Sequence, residues 1–174
     1  MRKALLLFAF SAICLGVAFR YFSPNFSGGA IAEMNQPLPP QAFFLSAANH
    51  EWVDLSNYKG QVVLLSFWTT WCPGCRSEVP ELIRVQEEFG NQGFTVVGIA
   101  VDDDGEQSVG SFIKQKGINY PVLLGDVESA RKLGFEGGLP MGVLVNRDGK
   151  EVKIIRGVVS KSALAKAIEG LVKD

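Results

Sequence analysis

The spacing of apolar residues along the chain predicts strands in some segments and helices in others. Two continuous apolar runs, 62–68 and 94–101, have the length of strands buried on both faces. Between them, apolar residues recur at spacings of three and four over 79–89, which predicts an amphipathic helix that ends near Gly90. Pro80 lies inside this helix, so we expect a kink there.

The rest of the chain continues the alternation of strands and helices. The further predicted elements are short strands at 42–45, 51–55 and 120–124, helices at 106–116 and 128–133, a hairpin of 141–146 with 151–157, and a last helix capped by Ser160. Parallel strands joined by crossover helices and followed by a hairpin predict an α/β fold. We expect a mixed central sheet with helices on both faces.

An uncharged run of sixteen residues, 4–19, stands between Arg2-Lys3 and Arg20. As a helix it spans about 24 Å, slightly less than a hydrocarbon core of ~30 Å, and snorkelling of flanking basic residues closes the gap. We predict an uncleaved signal-anchor at 1–22, with a cleaved signal peptide as the alternative. Either one exports the domain. We therefore expect a bacterial inner-membrane protein that crosses once and faces the periplasm or another extracytoplasmic space.

Residues 23–40 are rich in Ser, Gly, Asn and Pro, which is typical of a linker, so we expect one domain at 41–174. The formal net charge is −1 and the chain has no basic stripe. Nucleic acid is therefore not expected as a partner.

The chain has three cysteines, of which Cys72 and Cys75 form the only close pair. A lone C-x-x-C fits a zinc site, a redox pair or chance. A structural zinc site needs two more ligands, and the remaining candidates are Cys14 in the apolar N-terminal run and His50. We therefore expect no metal and no cofactor besides a redox-active Cys72–Cys75 disulfide.

The redox interpretation depends on where the cysteines lie, at the junction of a buried strand and a helix. A helix N-terminus offers free N–H groups and a positive dipole end, both of which favour a thiolate. Pro73 suits the first helical position, and the N–H groups of Gly74 and Cys75 are placed to bind the sulfur of Cys72. We assign Cys72 as the attacking sulfur and the more buried Cys75 as the resolving one.

Glu78 follows Cys75 by three residues, so both lie on one helical face. A partly buried carboxylate there could exchange a proton with Cys75, while the alternative is an exposed glutamate that favours the helix dipole. The bond between Leu139 and Pro140, before a strand, is a candidate cis bond, the alternative being an ordinary trans turn.

Two tryptophans flank the approach to the dithiol. We expect Trp68 and Trp71 to pack around it and to form a shallow apolar contact surface, although Trp68 is equally well explained as a core residue.

The segment Trp71 to Cys75, with Pro80 and the later 138–140 (Gly-Leu-Pro), resembles the thioredoxin superfamily. With the N-terminal anchor, 67–72 and Glu78, residues 37–174 resemble the exported TlpA/ResA/CcmG (DsbE)-type thiol–disulfide oxidoreductases. The resemblance implies a thioredoxin fold with an N-terminal β-hairpin and a central insertion. It also implies that Pro140 is cis and packs beside the dithiol, and it supports a functional role for Glu78.

The resemblance further implies a reductant of exported protein thiols and disulfides, with apocytochrome c as a substrate class and a membrane electron donor. Three positions depart from the usual pattern. Ser66 replaces a buried aspartate, Met141 replaces a threonine, and the dipeptide between the cysteines is Pro-Gly rather than Gly-Pro. The free N–H at Gly74 favours a more oxidising dithiol.

Three other functions compete with thiol–disulfide exchange. A peroxiredoxin-type peroxidase is suggested by Thr69 and Cys72, which match T-x-x-C, but Leu65 replaces that family's proline. A copper carrier on the same fold would need C-x-x-x-C and a downstream histidine, which the chain lacks. A non-catalytic interaction module is the third.

Overall fold

The computed structural model describes residues 30–37, 43–103 and 105–173. The predicted signal-anchor, 1–22, lies outside these ranges. No helix within the described ranges has both the length and the apolar character required to cross a membrane.

The described chain forms eight strands and four α-helices. The strands are β1 Ala30–Pro37, β2 Phe43–Ser46, β3 Trp52–Asp54, β4 Val62–Trp68, β5 Phe94–Ala100, β6 Val122–Leu124, β7 Met141–Val145 and β8 Lys150–Arg156. The helices are α1 Pro73–Phe89, α2 Glu106–Lys116, α3 Val127–Arg131 and α4 Lys161–Val172, with 3₁₀ turns at Leu55–Tyr58 and Gly90–Gln92. Helix α1 is assigned without a break at Pro80, and the kink expected there stays a prediction.

All eight strands join one sheet in the order β1-β8-β7-β4-β5-β6-β2-β3. β4 pairs in parallel with β5 and antiparallel with β7, and β5 pairs in parallel with β6. The predicted mixed sheet is therefore confirmed, with β4 at its centre. The elements α2, β6 and α3 occupy the interval where the family resemblance implied an insertion.

Alternate residues of β4 belong to two separate hydrophobic cores, because successive side chains of a strand point to opposite faces of the sheet. Val62, Leu64 and Trp68 belong to a cluster with residues of α1, α2 and α4. Val63, Leu65 and Phe67 belong to a second cluster, which includes Ala130 of α3. Helices therefore cover both faces, as predicted, and β4 is buried along its full length.

The N-terminal region confirms one prediction and corrects another. β2 and β3 form the expected hairpin, and β2 also pairs with β6. The linker prediction for 23–40 is wrong over Ala30–Pro37, because these residues form β1 along the edge of β8. The composition of a segment does not show that a distant strand offers it a free edge, and the hydrogen bonds of that edge hold β1 in place.

Candidate dithiol active site

Cys72 lies at the N-cap of α1, where the chain turns from the end of β4 into the helix. Its φ and ψ are −74° and 116°, and its Sγ accepts a hydrogen bond from the N–H of Cys75 at 3.1 Å. Pro73 follows at the start of the helix, as expected. The sulfur of Cys72 is thus held at the positive end of the helix dipole by one of the two predicted N–H donors.

Cys72 and Cys75 form a disulfide, with their Cα atoms 5.3 Å apart. Cys75 is 2 % exposed and Cys72 is 6 % exposed, so Cys75 is the more buried of the two, as predicted. Both are covered in this oxidised state. The assignment of attacking and resolving roles stays a prediction.

The loop before β7 packs against the first turn of α1. The bond between Leu139 and Pro140 is cis, as the resemblance implied, and Pro140 is buried. A Cβ atom placed on Gly74 would lie 3.0 Å from Cδ of Pro140 and 3.3 Å from a methyl carbon of Val158. The tertiary fold therefore places Pro140 against the glycine that separates the two cysteines.

Glu78 is 5 % exposed, and its Oε1 accepts a hydrogen bond from the N–H of Val159 at 3.2 Å. Burial raises the pKa of Glu78 to about 7, and the hydrogen bond from Val159 opposes this rise. Glu78 is therefore the buried carboxylate that a proton exchange with Cys75 requires, and the alternative of an exposed glutamate is wrong. Glu78 also lines a small internal cavity with Ser66 and Gly142.

The two tryptophans have different environments. Trp68 is 2 % exposed, shares a core cluster with both cysteines, and has its ring 5.3 Å from that of Phe112. Trp71 is 68 % exposed and directly precedes Cys72 in the sequence. Val158 is 42 % exposed and lies against Gly74, between the two cysteines. Trp68 is therefore a core residue, and Trp71 belongs to an apolar surface beside Cys72.

Sequence reasoning missed two buried polar residues near this site. Asp102, which follows the apolar run 94–101, is buried and accepts hydrogen bonds from the N–H and hydroxyl of Thr70. Tyr120 is buried, and its pKa is raised above the usual range by desolvation first and by the charge of Glu78 second. The only signal for Asp102 was its place directly after a buried strand, and nothing in the sequence pairs Tyr120 with Glu78.

Comparisons with known proteins agree with this geometry. A family model described as Redoxin matches residues 24–168. The chain is 33 % identical over 122 residues to the thiol-disulfide oxidoreductase ResA of Bacillus subtilis (strain 168). This matched region covers 70 % of this chain and 68 % of the relative. It is 26 % identical over 167 residues to the ResA of Bacillus cereus (strain ATCC 10987 / NRS 248), covering 94 % and 95 % of the two chains.

Two of the solved structures that resemble this chain come from species of Corynebacterium. A secreted thiol-disulfide isomerase from Corynebacterium glutamicum has a TM-score of 0.77 at 25 % identity, covering 90 % of this chain and 98 % of that one. A DsbF homologue from Corynebacterium diphtheriae has a TM-score of 0.74 at 27 % identity, covering 88 % and 99 %.

Proposed function

The chain belongs to the Redoxin family, and we propose that it reduces disulfides of exported proteins with the Cys72 and Cys75 dithiol. Thiol–disulfide oxidoreductase activity is supported by the named relatives and by the Cys72–Cys75 pair itself. The observation that carries the proposal is the contact of the Cys75 N–H with Sγ of Cys72 at a helix N-terminus. After reduction of the disulfide, the same contact would stabilise a thiolate at the position where an attacking sulfur is needed.

In the first step, the Cys72 thiolate attacks one sulfur of a substrate disulfide. A bond forms between Sγ of Cys72 and that sulfur, the substrate S–S bond breaks, and the second substrate sulfur leaves as a thiolate. The helix dipole and the Cys75 N–H favour the thiolate of the reduced Cys72 over its thiol, which raises the fraction that can attack near neutral pH.

In the second step, Cys75 loses its proton and attacks Sγ of Cys72. The mixed disulfide breaks, the first substrate sulfur leaves, and Cys72–Cys75 is oxidised while the substrate gains two electrons. Glu78 takes the proton of Cys75, because the two residues share a helical face and the pKa of Glu78, about 7, is suited to a base near neutral pH. A membrane-bound dithiol donor then returns two electrons to the protein.

The substrate class and location rest on other support. Trp71 and Val158 provide exposed apolar surface beside the dithiol, where an unfolded polypeptide can bind. Apocytochrome c follows from the resemblance to the TlpA/ResA/CcmG type. Export and anchoring are suggested by the uncharged run at 4–19, and one of the similar structures is of a secreted protein.

Trapping of the mixed disulfide tests this function directly. A full-length Cys14→Ser, Cys75→Ser variant keeps one thiol, Cys72, and lacks the resolving sulfur. Incubated with a disulfide-bonded apocytochrome c peptide, it should form a covalent adduct at Cys72 that dithiothreitol releases. The matched Cys14→Ser, Cys72→Ser variant should form much less, and equal adducts from both variants or none from either would refute the assignment.

The direction of exchange is tested by equilibrating the protein with glutathione redox buffers. A potential near that of thioredoxin, roughly −270 mV, would support a reductant. A potential near roughly −120 mV would mean that the protein oxidises its partners.

A further inference from the structure

Asp102 is a buried carboxylate that the exchange chemistry does not use. It is 7 % exposed and follows the last residue of β5 by two positions. Burial of an ionised carboxylate is costly unless the charge is paired or hydrogen-bonded. None of the salt bridges found among the described residues includes Asp102, so hydrogen bonds have to stabilise it.

Thr70, two residues before Cys72, supplies those hydrogen bonds. Its N–H lies 2.9 and 3.1 Å from the two carboxylate oxygens of Asp102, and its hydroxyl donates to Oδ1 at 2.5 Å. The carbonyl of Thr70 accepts a hydrogen bond from Nη1 of Arg76 at 3.0 Å. All polar groups of Thr70 are thus bound, on one side by the end of β5 and on the other by α1.

The two residues beside Thr70 hold this loop unequally, because Thr69 is 2 % exposed whereas Trp71 lies at the surface. The side chain of Trp71 is 68 % exposed, so its burial cannot fix the backbone between Thr70 and Cys72. The N–H of Cys72 donates to the carbonyl of Thr69 at 3.3 Å, a long hydrogen bond. In the reduced protein no S–S bond joins Cys72 to Cys75. The position of Cys72 then depends on the contacts of Thr70 and on the hydrogen bond that the Cys72 carbonyl accepts from the N–H of Arg76 at 3.0 Å.

We infer that Asp102 is a positioning residue for the dithiol, which through Thr70 holds the Cys72 sulfur on the N–H of Cys75. The inference rests on the proposed function, because that function needs Cys72 to be an ionised nucleophile. Loss of the hydrogen bond between the Cys75 N–H and Sγ of Cys72 should raise the pKa of Cys72, because its thiolate loses a donor. Loss of the negative charge of Asp102 alone should lower the pKa of Cys72. The sign of the shift therefore separates the loss of positioning from the loss of charge.

Few other charges adjoin this corner of the molecule. Helix α1 contributes Arg76 and Glu78, and the segment after β5 contributes Asp102 and the exposed Asp103. Helix α2 contributes Lys116, whose Nζ lies 5.9 Å from the centroid of the Phe112 ring, the same ring that Arg76 faces at 5.4 Å. The two loops that contact Gly74 present Pro140 and Val158, which carry no charge. Asp103 therefore provides a control in which a neighbouring charge is removed and the contact to Thr70 remains.

The experiment measures the pKa of Cys72 in the reduced, full-length protein with Cys14→Ser. The rate of iodoacetamide alkylation at Cys72 is followed against pH by mass spectrometry. Asp102→Asn and Thr70→Val should each raise this pKa by about half a unit or more, which lowers the thiolate fraction about threefold below the pKa. Asp103→Asn should not raise it, and Thr70→Ser, which keeps the hydroxyl, should retain the starting value.

An unchanged or lowered pKa of Cys72 in both folded variants would overturn the inference. If circular dichroism shows that Asp102→Asn does not fold, Thr70→Val decides alone, because it removes only the hydroxyl. The pKa measurement and the trapping of a mixed disulfide can fail separately. A protein with the expected pKa pattern that forms no mixed disulfide with a protein substrate would refute the function and leave the role of Asp102 intact.

Discussion

The N–H of Val159 donates a hydrogen bond to Oε1 of Glu78 at 3.2 Å, which joins α1 to the segment that leads into α4. One turn further along α1, Oε2 of Glu81 accepts a hydrogen bond from the N–H of Lys161 at 3.1 Å. The N-terminus of α4 thus binds carboxylates of the dithiol helix, an arrangement that the helix dipole favours. Glu78 is held in a buried place by this contact.

Replacement of Glu78 by Gln should change how stability depends on pH. The pKa of Glu78 rises from 4.5 to about 7 on folding, so the folded state binds the extra proton between these values. The contribution of protonated Glu78 to the free energy of unfolding is fully present below pH 4.5 and is lost as the pH rises through about 7. Glu78→Gln should therefore be more stable than the parent at pH 8, by up to about 3 kcal/mol, and no more stable at pH 4.

Urea unfolding of the oxidised protein at pH 4, 6 and 8 measures this effect. Glu87→Gln is the matched control, because Glu87 is exposed on the same helix. Its free energy of unfolding should stay within about 0.5 kcal/mol of the parent at every pH. An equal change for Glu78→Gln at pH 4 and pH 8 would contradict the proposed titration.

Glu78→Gln should also slow the second chemical step. An amide cannot accept the proton of Cys75, so resolution of the mixed disulfide should slow by about 10²-fold, while the attack by Cys72 keeps its rate. Rapid-quench measurements of adduct formation and decay separate the two steps. Slowing of the first step alone would assign Glu78 to Cys72 instead.

Gly74→Ala should disturb the contact between α1 and the loop before β7. The new Cβ would lie 3.0 Å from Cδ of Pro140, a rigid and buried ring, so one of the two elements must shift. We expect the rate of exchange with a protein disulfide to fall by about tenfold, because misplacement of reacting groups is costly. Gly138→Ala is the control, since its Cβ would meet nothing within 4 Å, and equal rates for both variants would contradict the close contact.

Gly98→Ala should destabilise the core beneath the site. The added Cβ would lie 2.8 Å from Nε1 of Trp68, whose side chain is 2 % exposed and has little room to move. Overpacking of this kind costs about 1–3 kcal/mol in the free energy of unfolding. Guanidinium unfolding should show this loss, whereas Gly110→Ala, in open space on α2, should stabilise by about 0.5–1 kcal/mol. Unchanged stability for Gly98→Ala would show that Trp68 can repack.

Most of the sheet and its helices were predictable because their signals are local. β4 and β5 are continuous apolar runs. The dipeptide Asp148-Gly149, which is typical of hairpin turns, lies between β7 and β8. β1 was not predictable in this way. Its hydrogen bonds come from β8, more than a hundred residues away, and a segment rich in polar and small residues carries no sign of that partner.

The dithiol needed only sequence proximity to be found. Cys72 and Cys75 are three residues apart, so any helix that begins at Pro73 brings their sulfurs together and places one at the N-cap. Trp71 and Trp68 show the opposite case. Both are apolar residues of the same short segment, and one is buried while the other is exposed because the strand ends between them.

Local order along the chain specified the helices, the central strands and the cysteine pair, because each of these depends on neighbours a few residues away. Long-range packing specified the environment of those groups. The hydrogen bond between Val159 and Glu78 joins residues 81 apart in the sequence, and that between Thr70 and Asp102 joins residues 32 apart. Neither contact can therefore be predicted from a local sequence pattern. Burial and partner geometry set the pKa of a carboxyl group, and both exist only once distant segments have packed together.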